Sequence, residues 1–414
     1  MNLERIIRVT SGYLFLTGYQ IRWYDRKSLH YRITICGILY FLILILIYLI
    51  CFCHHFENSG MLKMLLDMSV FLKDLVRLQV LLGLKVFIFC LLEWKSLNKI
   101  CNGLIQICRV TLKRQNSFDL SEAIVYLMFF STLIVGLIFA LYIAIELKFE
   151  LPPLDHIMIG MALFIPHFTL ASSLRLYALG LWCIKGEIYD LSKMLKEQDI
   201  DNVAESKSAV VVVEIVNPVF NQNSENANIQ GFYAKFSQRL DCIADFLKVF
   251  DGTLQRQLGV LLGLNFNCFL AGAYGHVYFE NFWKVLFIDR NRRIFYAANT
   301  AIFVCILMDY AILLITSWSF DRAKQNLYNT IVGRLYGNKP FAGEIRTILK
   351  YIKHKLSKNF KLKLFGLVEF NIWNFLILQG LMSTIIALIV SHQYLNDEIK
   401  ALNERFDNND SDEI

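Results

Sequence analysis

Long uncharged stretches recur along the chain and predict a bundle of membrane helices. The last stretch, 365–394, has no Asp, Glu, Lys or Arg from Asn371 to Tyr394. A helix needs ~20 apolar residues to cross the hydrocarbon core of a bilayer, so this stretch is long enough. The other predicted spans have their apolar parts at 33–53, 61–92, 124–145, 157–183, 257–279 and 294–320. We therefore predict an all-α, polytopic membrane protein with seven transmembrane helices.

The polar intervals between these spans divide the chain into alternating segments. The predicted organisation is an N-terminus (1–32), helices 1–4 (33–183), a loop and helix (184–256), helices 5–6 (257–320), a basic helical segment (321–364), helix 7 (365–394) and a tail (395–414). Within the long loop, 197–230 is rich in Asn, Ser, Glu and Asp, a composition that predicts disorder. Residues 231–256 regain the spacing of an amphipathic helix.

The distribution of Lys and Arg predicts the orientation of the bundle. The N-terminus and the second, fourth and sixth loops together hold 30 of these residues, whereas the remaining loops and the tail hold 8. Because cytosolic segments carry the excess of positive charge, the N-terminus is predicted to be cytosolic and the C-terminus extracellular. This is the inverse of a G-protein-coupled receptor.

Composition narrows the functional classes. The chain is 56% hydrophobic and 19% charged, more apolar and less charged than a typical soluble domain. Its ten Cys show no C-x-x-C spacing, and no Cys/His cluster has the spacing of metal ligands. We find no nucleophile–base pair and no phosphate-binding Gly loop, so we expect neither an enzyme nor a cofactor or metal, and no nucleic-acid partner.

The end of the last helix resembles the closing pattern of the insect gustatory receptor family, within the insect chemoreceptor superfamily. That family ends its last helix with Thr-Tyr, five hydrophobic residues, Gln and an aromatic residue. Here the order is Ile386-Ala387, Leu388-Ile389-Val390, Ser391-His392 and Gln393-Tyr394, so Thr-Tyr is replaced and the apolar run is interrupted. Helix number, loop lengths and the short tail also match. The resemblance implies a ligand-gated, non-selective cation channel, a homo- or hetero-tetramer in the plasma membrane of a sensory neuron dendrite.

One face of the last helix is the candidate pore wall. Ile386, Val390, Gln393 and Asp397 recur at helical spacing, and Tyr394 lies beside Gln393. The resemblance implies that Val390 and Tyr394 form a narrow gate next to Gln393. The alternative is a face that packs against lipid or other helices. The tail beyond it carries seven acidic residues, which at a pore mouth would attract cations.

Aromatic and polar residues in the outer halves of the other spans are candidates for binding a small-molecule tastant, since small-molecule sites are mostly aromatic with few polar groups. They pair along single helix faces: Tyr142 with Glu146, Phe164 with His167, Tyr274 with Tyr278, and Tyr296 with Asn299. Ordinary packing or an interfacial aromatic belt is the alternative for each pair.

Charges and apolar residues at the inner side raise further expectations. Lys85, Arg175 and Asp309 are costly within a membrane, and Lys85 and Asp309 are placed to pair near the inner face, although both could instead snorkel. The basic segment 321–364 contains apolar residues that need partners. The resemblance implies a cytosolic anchor between subunits there, and attraction to anionic lipid is the physical alternative.

Two other functions compete with a channel: a conventional G-protein-coupled receptor and a secondary transporter. The charge distribution and the lack of an Asp-Arg-Tyr triplet oppose the first. The second predicts broken helices at matching positions of two repeats, and Pro166 is the one proline within a span. The sequence does not distinguish a sugar, a bitter compound, carbon dioxide or an internal metabolite as ligand.

Overall fold

The computed structural model describes residues 3–25, 30–57, 70–107, 130–131, 133–142, 145, 167–169, 171–196, 218–282, 289–336, 343–364, 368–369 and 372–411. The helices are α1 (Leu3–Leu16), α2 (Ile35–Glu57), α3 (Val70–Leu92), α4 (Trp94–Ile107), α5 (Leu133–Tyr142), α6 (171–196), α7 (Pro218–Phe282), α8 (Asp289–Tyr336), α9 (Gly343–Asn359) and α10 (Ile372–Ser411). Two short hairpins accompany them: β1 (Arg22–Asp25) with β2 (His30–Ile33), and β3 (Lys363–Leu364) with β4 (Val368–Glu369).

Four helices are long and apolar enough to cross a membrane within the described residues: Val70–Leu92, Gly231–Tyr278, Tyr296–Tyr336 and Trp373–Lys400. Shorter apolar helices cover Ile35–Ile50 and Leu133–Tyr142. These positions agree with six of the seven predicted spans, and much of the fourth span lies outside the described residues. The count of seven and the orientation of the termini stay predictions.

The long helix α7 is the centre of the molecule. Its buried positions Leu240, Ile243, Leu247, Phe250 and Leu254 recur every three or four residues, so they form one continuous apolar stripe. Helices α3, α4, α9 and α10 all pack against it. At Gly180 of α6 an added Cβ would overlap the Phe250 ring, so a glycine is needed where these two helices approach.

The basic segment folds against the inner part of α7. Ile331, Leu335, Ile345, Leu349 and Ile352 were expected to need partners, and all five are buried in the core of the same chain. Ion pairs of Lys355 with Asp241 and of Arg239 with Glu187 flank this core. We call α9, together with residues 231–256 of α7 and 321–336 of α8, the anchor. Its apolar faces are thus explained without a second subunit.

Several helices begin or end away from the predicted boundaries. Residues 218–230 were expected to be disordered, but α7 begins at Pro218, whose fixed φ suits the first position of a helix. The last helix begins at Ile372, after the β3–β4 hairpin, and continues past Tyr394 to Ser411. The first span begins at Ile35, because Ile33 belongs to the N-terminal hairpin.

Candidate functional site: the last helix and the outer polar clusters

Helix α10 is packed much less within its own chain than the other long apolar helices. In its most apolar window 11% of the residues are buried, against 38%, 67% and 39% in the candidate spans of α3, α7 and α8. A helix hydrophobic all around its circumference is usually surrounded by apolar partners. Most of the partners of α10 therefore lie outside this chain.

The inward face of α10 packs against α3 and α7. Val390, only 8% exposed, belongs to a small core with Leu72, Leu75, Leu270 and Tyr274. Ile386 and Ile389 pack against the same core. This cluster joins the middle of α10 to the N-terminal part of α3 and the C-terminal part of α7.

The outward face of α10 is a row of exposed aliphatic side chains. Leu381, Leu388, Leu395 and Leu402 follow one another at seven-residue intervals, with Ile399 beside them. Leu388, two residues before Val390 and on the opposite side of the helix, is 66% exposed. Heptad spacing of apolar residues is the pattern by which helices associate.

The residues predicted to line the pore are thus distributed unevenly around the helix. Ile386 and Val390 face the chain's own core, and Tyr394 is half-buried. Gln393 is also half-buried and donates a hydrogen bond from Nε2 to Asp397 Oδ1, 3.2 Å away. Their role in an ion path stays a prediction, since such a path forms between copies of the helix.

An aromatic cluster lies where the start of α3, the end of α7 and the C-terminal half of α10 meet. The rings of Tyr274 and Tyr278, predicted as a pair, are 5.7 Å apart, and Phe71 packs edge-on against Tyr274 at 4.9 Å. The Tyr274 hydroxyl donates a hydrogen bond to Asp397. Asp397 is also bonded to Gln393, so the two predicted sets of site residues are in direct contact.

The other predicted ligand residues lie apart from this cluster. Tyr296 packs edge-on against His276, with 5.4 Å between the ring centroids. Asn299 donates a hydrogen bond to the carbonyl of Gly272, 3.5 Å away, at a point where a Cβ on Gly272 would overlap the Asn299 amide. Tyr142 is half-buried on α5. Glu146 and Phe164 lie outside the described residues.

His167 joins a buried polar cluster that the sequence did not reveal. Its Nε2 lies 3.0 Å from Gln79 Nε2 and 3.4 Å from Cys268 Sγ. Asn267 donates from Nδ2 to the carbonyl of Leu75 at 2.8 Å and to Gln79 Oε1 at 3.3 Å. The cluster ties α3, α7 and the fourth span together. The sequence signal that could have revealed the cluster is Gln79, an uncharged polar residue in a run that is otherwise apolar except for Lys85.

A buried ion pair joins the fourth and sixth spans. Arg175 donates a hydrogen bond from Nη1 to Asp309, and its Nη2 lies 3.3 Å from the Ser131 hydroxyl oxygen. Both charged side chains are almost completely buried. The predicted pairing of Lys85 with Asp309 was therefore wrong: Lys85 is exposed, with its ammonium 5.8 Å from the centre of the Phe89 ring. Arg175 is the better partner because its guanidinium satisfies several acceptors at once.

The part of the chain that the structure describes contains no group of three or more His, Cys, Asp or Glu side chains placed to hold a metal ion.

Comparison with solved structures gives clear matches for the whole fold. The chain is similar to the insect olfactory receptor OR5 from Machilis hrabei, with 11% identity and a TM-score of 0.56. It is similar to the same receptor in complex with eugenol, with 12% identity and a TM-score of 0.59. Both matches cover 94% of this chain and 98% of the other.

The sequence itself gives no such match, since no protein family and no curated protein matches it. At 11–12% identity, the likeness is one of fold. Along nearly its whole length, this chain has the fold of that insect olfactory receptor, so the resemblance suggested by the sequence is confirmed at the level of the fold.

Proposed function

We propose that this protein is a gustatory chemoreceptor that works as a ligand-gated, non-selective cation channel. The observation that carries the proposal is the last helix: it is apolar all around, yet only 11% of its apolar window is buried within the chain. In a channel assembled from several copies, this helix meets its symmetry mates and lines the shared path. A homo- or hetero-tetramer in the plasma membrane of a sensory neuron is the form we expect.

The packing of α10 indicates which of its faces lines the path. A side chain can close a shared pore only if it projects away from its own chain, as Leu388 does. A ring of such leucines would expel water, and an ion would then meet a barrier without a steric plug. Val390, Gln393 and Tyr394 remain candidates through their place in the closing pattern. In this chain, however, the Val390 face fits a role in moving the helix better than a role in lining the path.

The aromatic cluster supplies a route from ligand to path. Tyr274 contacts Phe71, Tyr278 and Asp397, so a small aromatic molecule that displaced one of these rings would act directly on α10. Eugenol, bound by the similar receptor, belongs to this chemical class. The other residues predicted to bind the ligand lie apart from this cluster and remain candidates for a ligand that extends beyond it. They are Tyr142, Glu146, Phe164, His167, Tyr296 and Asn299.

Negative charge beyond the end of the proposed ion path favours the entry of cations over anions. Asp397 and Glu398 follow the last apolar turn, and further acidic residues continue towards the C-terminus. Several copies of this segment around one mouth would raise the local concentration of cations.

The direct test is electrical recording from cells or liposomes that contain this chain alone, in excised patches without G proteins. A panel of small aromatic and sugar ligands should include at least one that evokes a cation current. Tyr274→Ala should abolish or strongly shift that response while surface expression is kept. Tyr336→Ala, an exposed aromatic position in the anchor, is the matched control and should respond like the wild type.

Ligand binding without current in excised patches, together with a response that requires G proteins, would contradict the channel. A second measurement tests the orientation. A tag after Ile414 should be stained on intact cells, whereas a tag before Met1 should not. The opposite staining would place the acidic C-terminal segment in the cytosol, where it could not concentrate extracellular cations.

A further inference from the structure

A cavity of about 290 Å³ lies where α2 begins and α3 ends. It is at the opposite end of α3 from Phe71, which belongs to the aromatic cluster. Its walls come from the N-terminal hairpin and the segment before it, from α2, from the end of α3 and from the start of α4. This size is at the lower end of the range for small-molecule sites. The predicted orientation places it at the cytosolic side of the membrane.

The wall of the cavity is mostly aliphatic and open on one side. Ile38, Leu42 and Leu91 line it, and each is also an exposed large hydrophobic side chain. All three belong to apolar helices that we assign to the membrane, so the open side faces acyl chains. A molecule could enter this cavity sideways from the lipid.

A cation that forms no ion pair with any carboxylate in the described part of the chain lies within this apolar wall. Arg22 is 8% exposed, and its guanidinium carbon is 5.3 Å from the centre of the Trp94 ring. Its Nε has no hydrogen-bond acceptor among the described residues. The carboxylate of the same hairpin, Asp25, pairs with Arg32 instead. Burial lowers the pKa of Arg22, which is the sign expected for a cation that lacks an anion.

A second polar group in the cavity has only a weak partner. The Gln20 side chain is 7% exposed, and the hydrogen-bonding neighbour found for it is the thiol of Cys101, a weak hydrogen-bonding group. Buried amides and buried guanidinium groups without partners are costly, so native proteins rarely leave them unsatisfied. An anion placed between Gln20 and Arg22 would satisfy both.

The surroundings of the cavity carry further positive charge. Lys95 and Lys99 are exposed on the first turns of α4, and the Lys95 ammonium lies 5.7 Å from the centre of the Trp94 ring. Basic residues beside an apolar surface at the cytosolic side attract the anionic lipids of that leaflet.

We propose that this cavity binds an anionic membrane lipid, with its phosphate against Arg22 and Gln20 and one acyl chain along Ile38, Leu42 and Leu91. The guanidinium is suited to this role because its planar donors match phosphate oxygens. A lipid held there would tie the N-terminal hairpin to α2, α3 and α4. The proposal rests on these contacts alone and does not depend on the channel function.

The test uses the purified full-length protein in a neutral detergent, with its thermal midpoint as the readout of binding. The probes are dioctanoyl phosphatidylglycerol, dioctanoyl phosphatidylcholine with the same chains, and inorganic phosphate. We expect a saturable rise of the midpoint with the anionic lipid, little with the zwitterionic lipid and none with phosphate. Equal effects of both lipids would overturn the charge recognition, and an equal effect of phosphate would overturn the role of the acyl chain.

Variants locate the effect. Arg22→Gln should weaken the apparent affinity for phosphatidylglycerol by about ten-fold or more, because it removes charge-assisted hydrogen bonds. Arg32→Gln, which changes an exposed arginine of the same hairpin, should leave the affinity within about two-fold, as expected for an exposed ion pair. Arg22→Lys should retain part of the response.

The lipid-free midpoint separates a binding residue from a structural one. Since Arg22 has no carboxylate partner in the described ranges, Arg22→Gln should melt no earlier than the wild type without lipid. An early-melting Arg22→Gln protein, or one that keeps the full lipid response, would contradict the proposal.

Discussion

Two apolar helices of similar character, α7 and α10, are treated very differently by the fold. In the most apolar window of α7, 67% of the residues are buried within the chain. In the corresponding window of α10, 11% of the residues are buried. Helix α7 has neighbours on several sides, including α3, α4 and α9, whereas α10 rests on the bundle by one face. Hydrophobicity alone thus does not distinguish a core helix from an interface helix.

The difference separates two kinds of stability in this molecule. Substitutions around α7 and the anchor should lower the folding stability of the single chain. Changes on the outward face of α10 should leave that fold intact and appear in assembly or conduction. The following predictions test this division, beginning with the largest expected effect.

Breaking the buried ion pair should have the largest effect on folding. Asp309→Asn leaves the Arg175 guanidinium buried without its counter-charge, and removing one partner of such a pair costs ~3–5 kcal/mol. We expect a large loss of folded protein by detergent size-exclusion chromatography and thermal denaturation. Asp321→Asn is the control, because Asp321 forms a more exposed pair with Lys324 at 2.8 Å and should cost ~0–1 kcal/mol. Equal losses would show that burial of the pair is unimportant.

Truncating one core residue of the anchor should be nearly as harmful. Ile352 is completely buried, and Ile→Ala at such a position typically costs ~2–5 kcal/mol through lost contacts and the cavity that remains. Leu388→Ala, on the outward face of α10, should change the thermal midpoint of the isolated chain very little. If Leu388→Ala unfolds the chain while Ile352→Ala does not, the division between the two regions is wrong.

The Lys355–Asp241 pair should give a smaller effect that depends on pH. Partial burial disfavours the Lys355 ammonium, but its hydrogen bond to Asp241 outweighs this, so the pKa of Lys355 is raised above 10.5. A raised pKa means that the pair stabilises the fold below that value and that the contribution fades as pH rises through the folded-state pKa. Lys355→Met should therefore melt earlier than the wild type at pH 8.

The same comparison at pH 11.5 should show a smaller difference between Lys355→Met and the wild type. A difference that is constant from pH 8 to pH 11.5 would mean that packing of the lysine stem, and not its charge, stabilises the anchor.

The apolar helices could be predicted from the sequence because uncharged runs of about 20 apolar residues are typical of membrane-spanning helices. The anchor was also predictable as helix, since Ile345, Leu349 and Ile352 lie at amphipathic spacing. Their partners were not, because periodicity shows that a face must be covered without showing by what. Burial within the same chain was found only in the structure.

The candidate site shows the same limit. Lys85 was the expected partner of Asp309, and only the packing of the fourth and sixth spans showed that Arg175 takes that place. The Gln79–His167–Cys268 cluster joins residues up to 189 positions apart, a separation that local patterns do not cross. On α10, the apolar pattern covers both faces, so it could not show that Val390 turns inward and Leu388 outward.

The most direct test of the account compares these two neighbours by cysteine accessibility during recording. A charged, membrane-impermeant thiol reagent is applied to Leu388→Cys and Val390→Cys channels at matched surface expression, with the wild type as the background for its native cysteines. We predict that the reagent rapidly changes the ligand-evoked current of Leu388→Cys and leaves that of Val390→Cys unchanged. Modification of Val390→Cys with no effect at Leu388→Cys would contradict the proposed face. No effect at either position would remove α10 from the ion path.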